Sequence, residues 1–290
     1  MKENKINCLD KFPAFFLILF LIFGEASSQV LWYGDPDKNI KDLFRRFDTE
    51  GAGKDYCATN SEVLPIVTRP NDSKYGKVWK ISKPINRKRA EFARTSYVPQ
   101  EGQTYYYGWR WKITANTAIQ DDITVWQWKT DHKGGLNFNK QHYPLNLEYK
   151  ENELFMNAFG PGHPNWTQDY SEKNKRIKNR RTTIWRKRVK RGEWISIIIK
   201  MKLSRSANEG YVEVYFNGEK QLLTNSDFDE YLVSLSKDRK RAYHRTFDGF
   251  REVYPKWGAY NSNACNYDIS TYYDEMRIAR DLESANPECY

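Results

Sequence analysis

Ile195, Ile197, Ile199, Met201 and Leu203 place apolar side chains at every second position of one long run. Side chains of a strand point alternately to opposite faces, whereas a helix repeats near 3.6 residues, so this spacing predicts a β-strand with one buried face. The same period recurs along the chain. Tyr105, Tyr107, Trp109 and Trp111 share one side of residues 105–113. Strands are also expected at residues 78–82, 124–129, 145–150, 211–216 and 275–279. In residues 124–129, Val125, Gln127 and Lys129 are expected on the side opposite Trp126 and Trp128. Asn217-Gly218 closes residues 211–216 with a strong two-residue hairpin signal. Helical patterning is sparse, with short helices expected only at residues 40–47 and 227–235. Many short strands divided by turn signals predict an all-β sandwich or jelly roll.

The first residues stand outside that fold. Lysines precede an apolar stretch at residues 12–23, and Ala26-Ser27-Ser28 supplies small residues for cleavage. The stretch is short for a bilayer span. Residues 1–28 are expected to be a secretory signal peptide, and residues 29–290 a single domain. The protein is therefore expected to be secreted, extracellular or periplasmic, and free of membrane after cleavage. Cys8 leaves with the leader, so Cys57, Cys265 and Cys289 remain, enough for at most one internal disulfide whose pairing stays open.

Formal net charge is +10, and the leader's charges cancel, so the exported chain keeps this excess. A basic secreted protein suits polyanions, and export favours acidic polysaccharide over nucleic acid. The densest basic run, residues 173–191, holds eleven Lys or Arg and is expected as a solvated loop or exposed hairpin. No metal-ligand spacing is visible among Cys and His, and no cofactor is expected, although a structural calcium ion is compatible. A monomer is expected.

Three strand-like segments place polar groups on one face: Arg89 with Glu91, Gln127 with Lys129, and Lys256 with Tyr260. If these strands are neighbours, they form a cationic groove containing a phenol. Cleavage of a uronate polymer by β-elimination needs such a set. The carboxylate must be neutralised before the C5 proton can leave, and the leaving glycosidic oxygen needs an acid. Arg89 can grip a carboxylate through two N–H groups, Gln127 can donate its amide, and Lys129 can add charge. Glu91 would orient Arg89. Tyr260 is the expected proton shuttle, with Lys256 placed to favour its phenolate. Asn146 is expected to contact substrate, and His142 is a candidate second base. A hydrolase would need two carboxyl groups astride the bond, for which Glu91, Asp131 and Glu148 are available. A lectin-like glycan-binding sandwich is the other alternative.

Arg89-Ala-Glu91, Gln127-Trp-Lys129 and Tyr254-Pro-Lys-Trp-Gly-Ala-Tyr-Asn261, in that order, resemble the motifs of the jelly-roll polysaccharide lyases. That group includes alginate lyases, the heparin lyase I type and the glucuronan lyases. Gly192-Glu-Trp-Ile195 and residues 210–218 resemble the last two. The resemblance implies a β-jelly roll with a concave groove and elimination with Tyr260 as acid and base. Glucuronan, alginate and sulfated glycosaminoglycans all suit a basic groove, and the lack of a histidine at position 129 places glucuronan or alginate first. One residue departs from the pattern: Lys129 stands where alginate and heparin lyases carry histidine. As a solvated ammonium, Lys129 is expected to neutralise the carboxylate but to be a poor base.

Overall fold

A computed structural model describes residues 29–49, 64–131, 142–159, 181–224, 233–247, 252–260 and 265–290. Two large antiparallel sheets face each other. Among the described residues, the first has ten strands. Its main path runs Ser234–Leu235, Ala242–Tyr243, Tyr211–Phe216, Ile195–Lys202, Thr104–Ala115, Ile269–Ala279, Trp79–Lys83, Ile66–Thr68. The second has seven, in the order Arg181–Arg188, Glu153–Phe159, His142–Lys150, Ile123–Asp131, Glu252–Tyr260, Arg89–Thr95, Phe44–Asp48. Neighbours in space are often remote in sequence. The architecture is a β-jelly roll, as the strand patterning predicts.

Aromatic side chains fill the space between the sheets. Tyr105, Tyr107, Trp109 and Trp111 are almost wholly buried on the inner side of their strand. From the facing sheet, Trp126 stacks on Trp109 at 5.9 Å and Trp128 meets Tyr107 at 5.2 Å. Trp257 closes edge-on to Trp109 at 6.2 Å. Each such ring removes a large apolar area from water, which is why a period-2 aromatic run specifies the face so firmly. The expected hairpin at Asn217-Gly218 is present: both residues have positive φ (47° and 79°), and Phe216 pairs with Glu219. A primed two-residue turn requires this geometry.

Local expectations fail in three places. The helix expected at residues 40–47 is a single turn, Ile40–Leu43, followed by an edge strand, Phe44–Asp48. Pairing with Arg89–Thr95 lets Phe44 stack on Phe92 at 4.1 Å, a gain that local helix propensity cannot match. The basic run is not all loop, because Arg181–Arg188 forms the edge strand beyond Glu153–Phe159. Ile184 and Trp185 face the core there, and lysines and arginines suit an exposed sheet edge. Residues 173–180 lie outside the described residues, as do residues 227–232 of the other expected helix. The third failure is at Val125, where the alternation breaks. Relative to His142–Lys150, the strand carries an extra residue there, since Leu147 pairs with Trp126 but Glu148 with Thr124. Val125 therefore joins the core rather than the side of Gln127 and Lys129. Thr124 turns to the polar side, with its hydroxyl 3.3 Å from Glu148. This is the expected consequence of a β-bulge.

Cys265 and Cys289 are both disulfide-bonded, and Cys57 lies outside the described residues. Among the described residues, no helix is long and apolar enough to cross a membrane. Nor does any group of three or more metal-ligating side chains come together there.

Candidate active site

The three motif-bearing strands are neighbours: Glu252–Tyr260 lies between Ile123–Asp131 and Arg89–Thr95. Register sets the rows. Tyr260 is opposite Arg89 on one side and Thr124 on the other, and Thr124 is in turn opposite Glu148. Lys256, Gln127, Asn146 and Asn157 form a second row across four strands. Tyr254 and Lys129 face each other in a third.

Gly258 is the local reason this face can hold a charge cluster. It lies opposite Glu91. It contributes no side chain, and a β-carbon there would come within 2.0 Å of the Ala90 carbonyl oxygen. Its own carbonyl, and that of Val125, lie 3.2 and 2.9 Å from the Tyr273 hydroxyl, which reaches across from the other sheet. Glu91 can therefore cross over the glycine to the next strand, where its Oε1 accepts from Gln127 Nε2 at 2.7 Å. Its Oε2 accepts from Lys256 Nζ at 2.6 Å and lies 3.2 Å from Arg89 Nε. Pro255 is accommodated in this central strand because the ladder to Arg89–Thr95 stops at Lys256–Ala93. Arg94 leaves the ladder with φ of 60° and places its guanidinium 5.0 Å from the Tyr254 ring.

Asp48 completes the cluster from the edge strand. Its carboxylate takes Lys256 Nζ at 2.8 Å, Arg46 at 2.9 Å and Arg89 at 3.6 Å. Burial alone would raise its pKa, but Lys256, with help from Arg46, outweighs burial and holds the carboxyl below its usual range. Glu91 and Lys256 are fully buried, so this is a desolvated network whose members depend on one another. The Lys256 ammonium is thus engaged by two carboxylates rather than left beside the Tyr260 hydroxyl.

Tyr260 is half-buried and is the most exposed member of the set. The Arg89 guanidinium lies 4.1 Å from its ring centroid and the Lys88 ammonium 5.6 Å. Lys129 is only 5% exposed. Burial, then the nearby Lys256 and Arg89 charges, pull it well below the usual lysine range, and Glu91 and Asp48 oppose them only in part. This differs from the solvated ammonium expected from sequence: register pairs Lys129 with the buried Tyr254, and Lys129 is itself excluded from solvent.

A second network flanks the first. Glu148 accepts from Asn146 at 2.7 Å, Asn157 at 2.9 Å and Arg181 at 2.7 Å. Asn157 also donates to Asn146 Oδ1 at 3.0 Å. Burial raises the Glu148 carboxyl, and the Arg181 charge opposes this. Asn146 is therefore tied into a wall of polar groups. The side chains of His142 and Asp131 lie outside the described residues. Sequence reasoning did not single out Asp48, Thr124, Asn157 or Arg181. Asp48 was hidden just after a segment read as helix, and Thr124 by the bulge.

The family described as Polysaccharide lyase matches residues 49–277 of this chain. The protein belongs to that family and is a polysaccharide lyase acting on a polysaccharide substrate, which sets aside the lectin-like and hydrolase alternatives. No curated protein sequence matches it. Among solved structures it is similar to the endo-β-1,4-glucuronan lyase from the fungus Trichoderma reesei, at 14% identity and a TM-score of 0.54, covering 83% of this chain and 98% of that one. This likeness shows a shared fold. Alginate lyase A1-II′ aligns with a TM-score of 0.44 and 12% identity over 73% of this chain and 83% of its own. Alginate lyase vAL-1 from Chlorella virus aligns at 0.46 and 9% over 75% and 90%.

Proposed function

We propose that this lyase is secreted and cleaves a uronate-containing polymer, glucuronan or alginate, by β-elimination in the groove over Gln127, Arg89 and Tyr260. The observation that carries the reading is the meeting of a half-exposed phenol with a guanidinium and an oriented amide on one sheet face. Glu91 fixes which end of the Gln127 amide faces it, and Nε2 has a second hydrogen for a substrate carboxylate. Arg89 contributes positive charge at the same place. Preorganised donors of this kind stabilise the charge that spreads onto the carboxylate as the C5 proton leaves. Tyr260 as phenolate takes the C5 proton and as phenol returns it to the departing glycosidic oxygen, and its partial exposure gives substrate access to the side chain. The excess of basic residues favours approach of an anionic polymer.

The test is a panel of uronate polymers incubated with purified protein, reading the near-ultraviolet absorbance of the C4–C5 double bond. Glucuronan or mannuronate-rich alginate is expected to respond. Tyr260→Phe keeps the ring over Arg89 and is expected to lose about 10²–10⁴-fold in kcat. Full turnover by Tyr260→Phe would remove Tyr260 from the chemistry. Activity confined to uncharged polymers would overturn the substrate class.

A further inference from the structure

We infer that the outer face of the ten-stranded sheet carries a second binding site for an anionic polysaccharide, centred on Lys200, Lys220 and Arg241. It lies across the sandwich from the groove and takes a different stretch of polymer. The class of ligand rests on the reading of the substrate as a uronate polymer.

Register places the site. Tyr106, Lys200 and Glu213 form one row across the strands Thr104–Ala115, Ile195–Lys202 and Tyr211–Phe216. Lys202, Tyr211 and Tyr243 form the row on one side. Ile198, Tyr215 and Lys220 form the row on the other. Tyr105, Tyr107, Val212 and Val214, the neighbours of Tyr106 and Glu213 in sequence, belong to the core. Alternation therefore turns the Tyr106–Lys200–Glu213 row outward, away from the sheet that bears Tyr260.

Glu213 is wholly enclosed beneath the cations. Arg241 reaches its Oε1 through Nε at 2.8 Å and Nη2 at 2.5 Å. Lys220 Nζ reaches Oε2 at 2.6 Å, and Lys200 Nζ lies 3.9 Å from the same oxygen. Burial works to raise the Glu213 carboxyl, but hydrogen bonds from Lys220 and Arg241 hold it below its usual range. Burial also works against the Lys200 ammonium, but Tyr106 and Glu213 outweigh it and raise its proton affinity. The carboxylate and the ammonium are therefore both charged at neutral pH.

A staple for this edge of the sheet needs one cation per carboxylate, and Arg241 already supplies it through two N–H groups. Lys200 and Lys220 exceed that need and leave two positive charges over in the cluster. Lys202 stands on the same face, opposite Tyr211. At the rim, the exposed Asp238 is shared between Lys220 and Lys240. The cluster cations keep part of each side chain in water: 19% for Lys200, 32% for Lys220 and 33% for Arg241. Glu213 thus holds them in place while their charge stays open to a ligand.

The rings favour a sugar polymer among polyanions. Arg241 lies over Tyr211 at 4.0 Å, and Lys200 lies 5.2 Å from the Tyr106 ring. Tyr106, Tyr211 and Tyr243 are each half-buried, so they present apolar faces beside fixed cations. This mixture suits a chain whose units each carry C–H faces and a carboxylate. Polymer held here raises the concentration of cleavable bonds near the groove.

The test compares a uronate polymer with a tetrasaccharide cut from it, too short to occupy both faces. The double variant Lys200→Gln, Lys220→Gln keeps the Arg241–Glu213 pair. It is expected to raise KM for the polymer roughly three- to tenfold with kcat unchanged. Its kcat/KM on the tetrasaccharide should equal that of wild type. Lys200→Arg, Lys220→Arg should keep the wild-type KM for the polymer. Calorimetric titration with the polymer should show the same loss of affinity in the glutamine variant, and a shallower salt dependence. A polymer KM unchanged in the glutamine variant would overturn the inference, as would an equal loss on the tetrasaccharide. Tighter binding to phosphatidylserine vesicles or to single-stranded DNA than to the polymer, lost in the same variant, would also overturn it. If the glutamine pair does not fold, Lys200→Gln alone carries the comparison, since Lys200 is the cation least tied to Glu213. A wild-type protein that yields no unsaturated product from any uronate polymer would instead defeat the proposed function, and the titration would then decide the second site.

Discussion

Glu91→Gln removes one negative charge from the buried network while nearly preserving its shape. In the native protein, Glu91 accepts from Gln127 and Lys256 and lies beside Arg89, with essentially no solvent contact. A glutamine there can present an oxygen to one of these donors but must turn an N–H₂ toward another. Removing one partner of a buried ion pair costs roughly 3–5 kcal/mol. Lys256 keeps Asp48 at 2.8 Å, which places this case near the low end, about 3 kcal/mol. For a domain of this size that corresponds to a fall in Tm of roughly 6–12 °C. Activity should fall as well, because Gln127 loses the acceptor that orients its amide. The measurement is thermal unfolding at neutral pH beside the product-absorbance assay. A Glu91→Gln protein melting within about 2 °C of wild type would refute the reasoning: the network would then contribute nothing net.

Gly258→Ala pushes a β-carbon into the Ala90 carbonyl and should cost about 3 kcal/mol or more by parting the two central strands, which urea unfolding would register. Lys83, fully buried, donates to the carbonyls of Pro84 (2.8 Å) and Arg87 (3.0 Å) in the turn that leads into Arg89, and to that of Tyr267 (2.5 Å) before the Ile269–Ala279 strand. Lys83→Met should lower stability by about 3 kcal/mol, because it leaves buried acceptors unsatisfied, and should raise KM by loosening Arg89; an unchanged urea midpoint would count against this role. Asp48 titrates below its unfolded value, so its contribution to stability is complete above about pH 4 and disappears as pH falls through the depressed folded value. Asp48→Asn should be less stable than wild type at neutral pH and show a flatter loss of stability in acid, read from urea midpoints across that range.

The alternation of Tyr105, Tyr107, Trp109 and Trp111, and of the isoleucines from Ile195, made a β-sandwich legible, because side-chain direction in a strand follows local spacing alone. Order and common facing likewise marked Arg89, Gln127 and Tyr260. Asp48 was not legible, since its segment reads equally as a helical turn and only pairing with Arg89–Thr95 makes it a strand. Thr124 was hidden because a bulge shifts the phase of a strand without leaving a mark in its composition.

By itself, then, the chain determined an all-β fold and the identity of most groups on one polar face. Tertiary structure decided which strands became neighbours, that Glu91 crosses Gly258 to Gln127, and that Lys129 is buried rather than solvated. The physical reason is range. Facing is set by the backbone within a few residues, whereas proton affinity and ion pairing depend on charges and solvent exclusion supplied by segments far away in sequence.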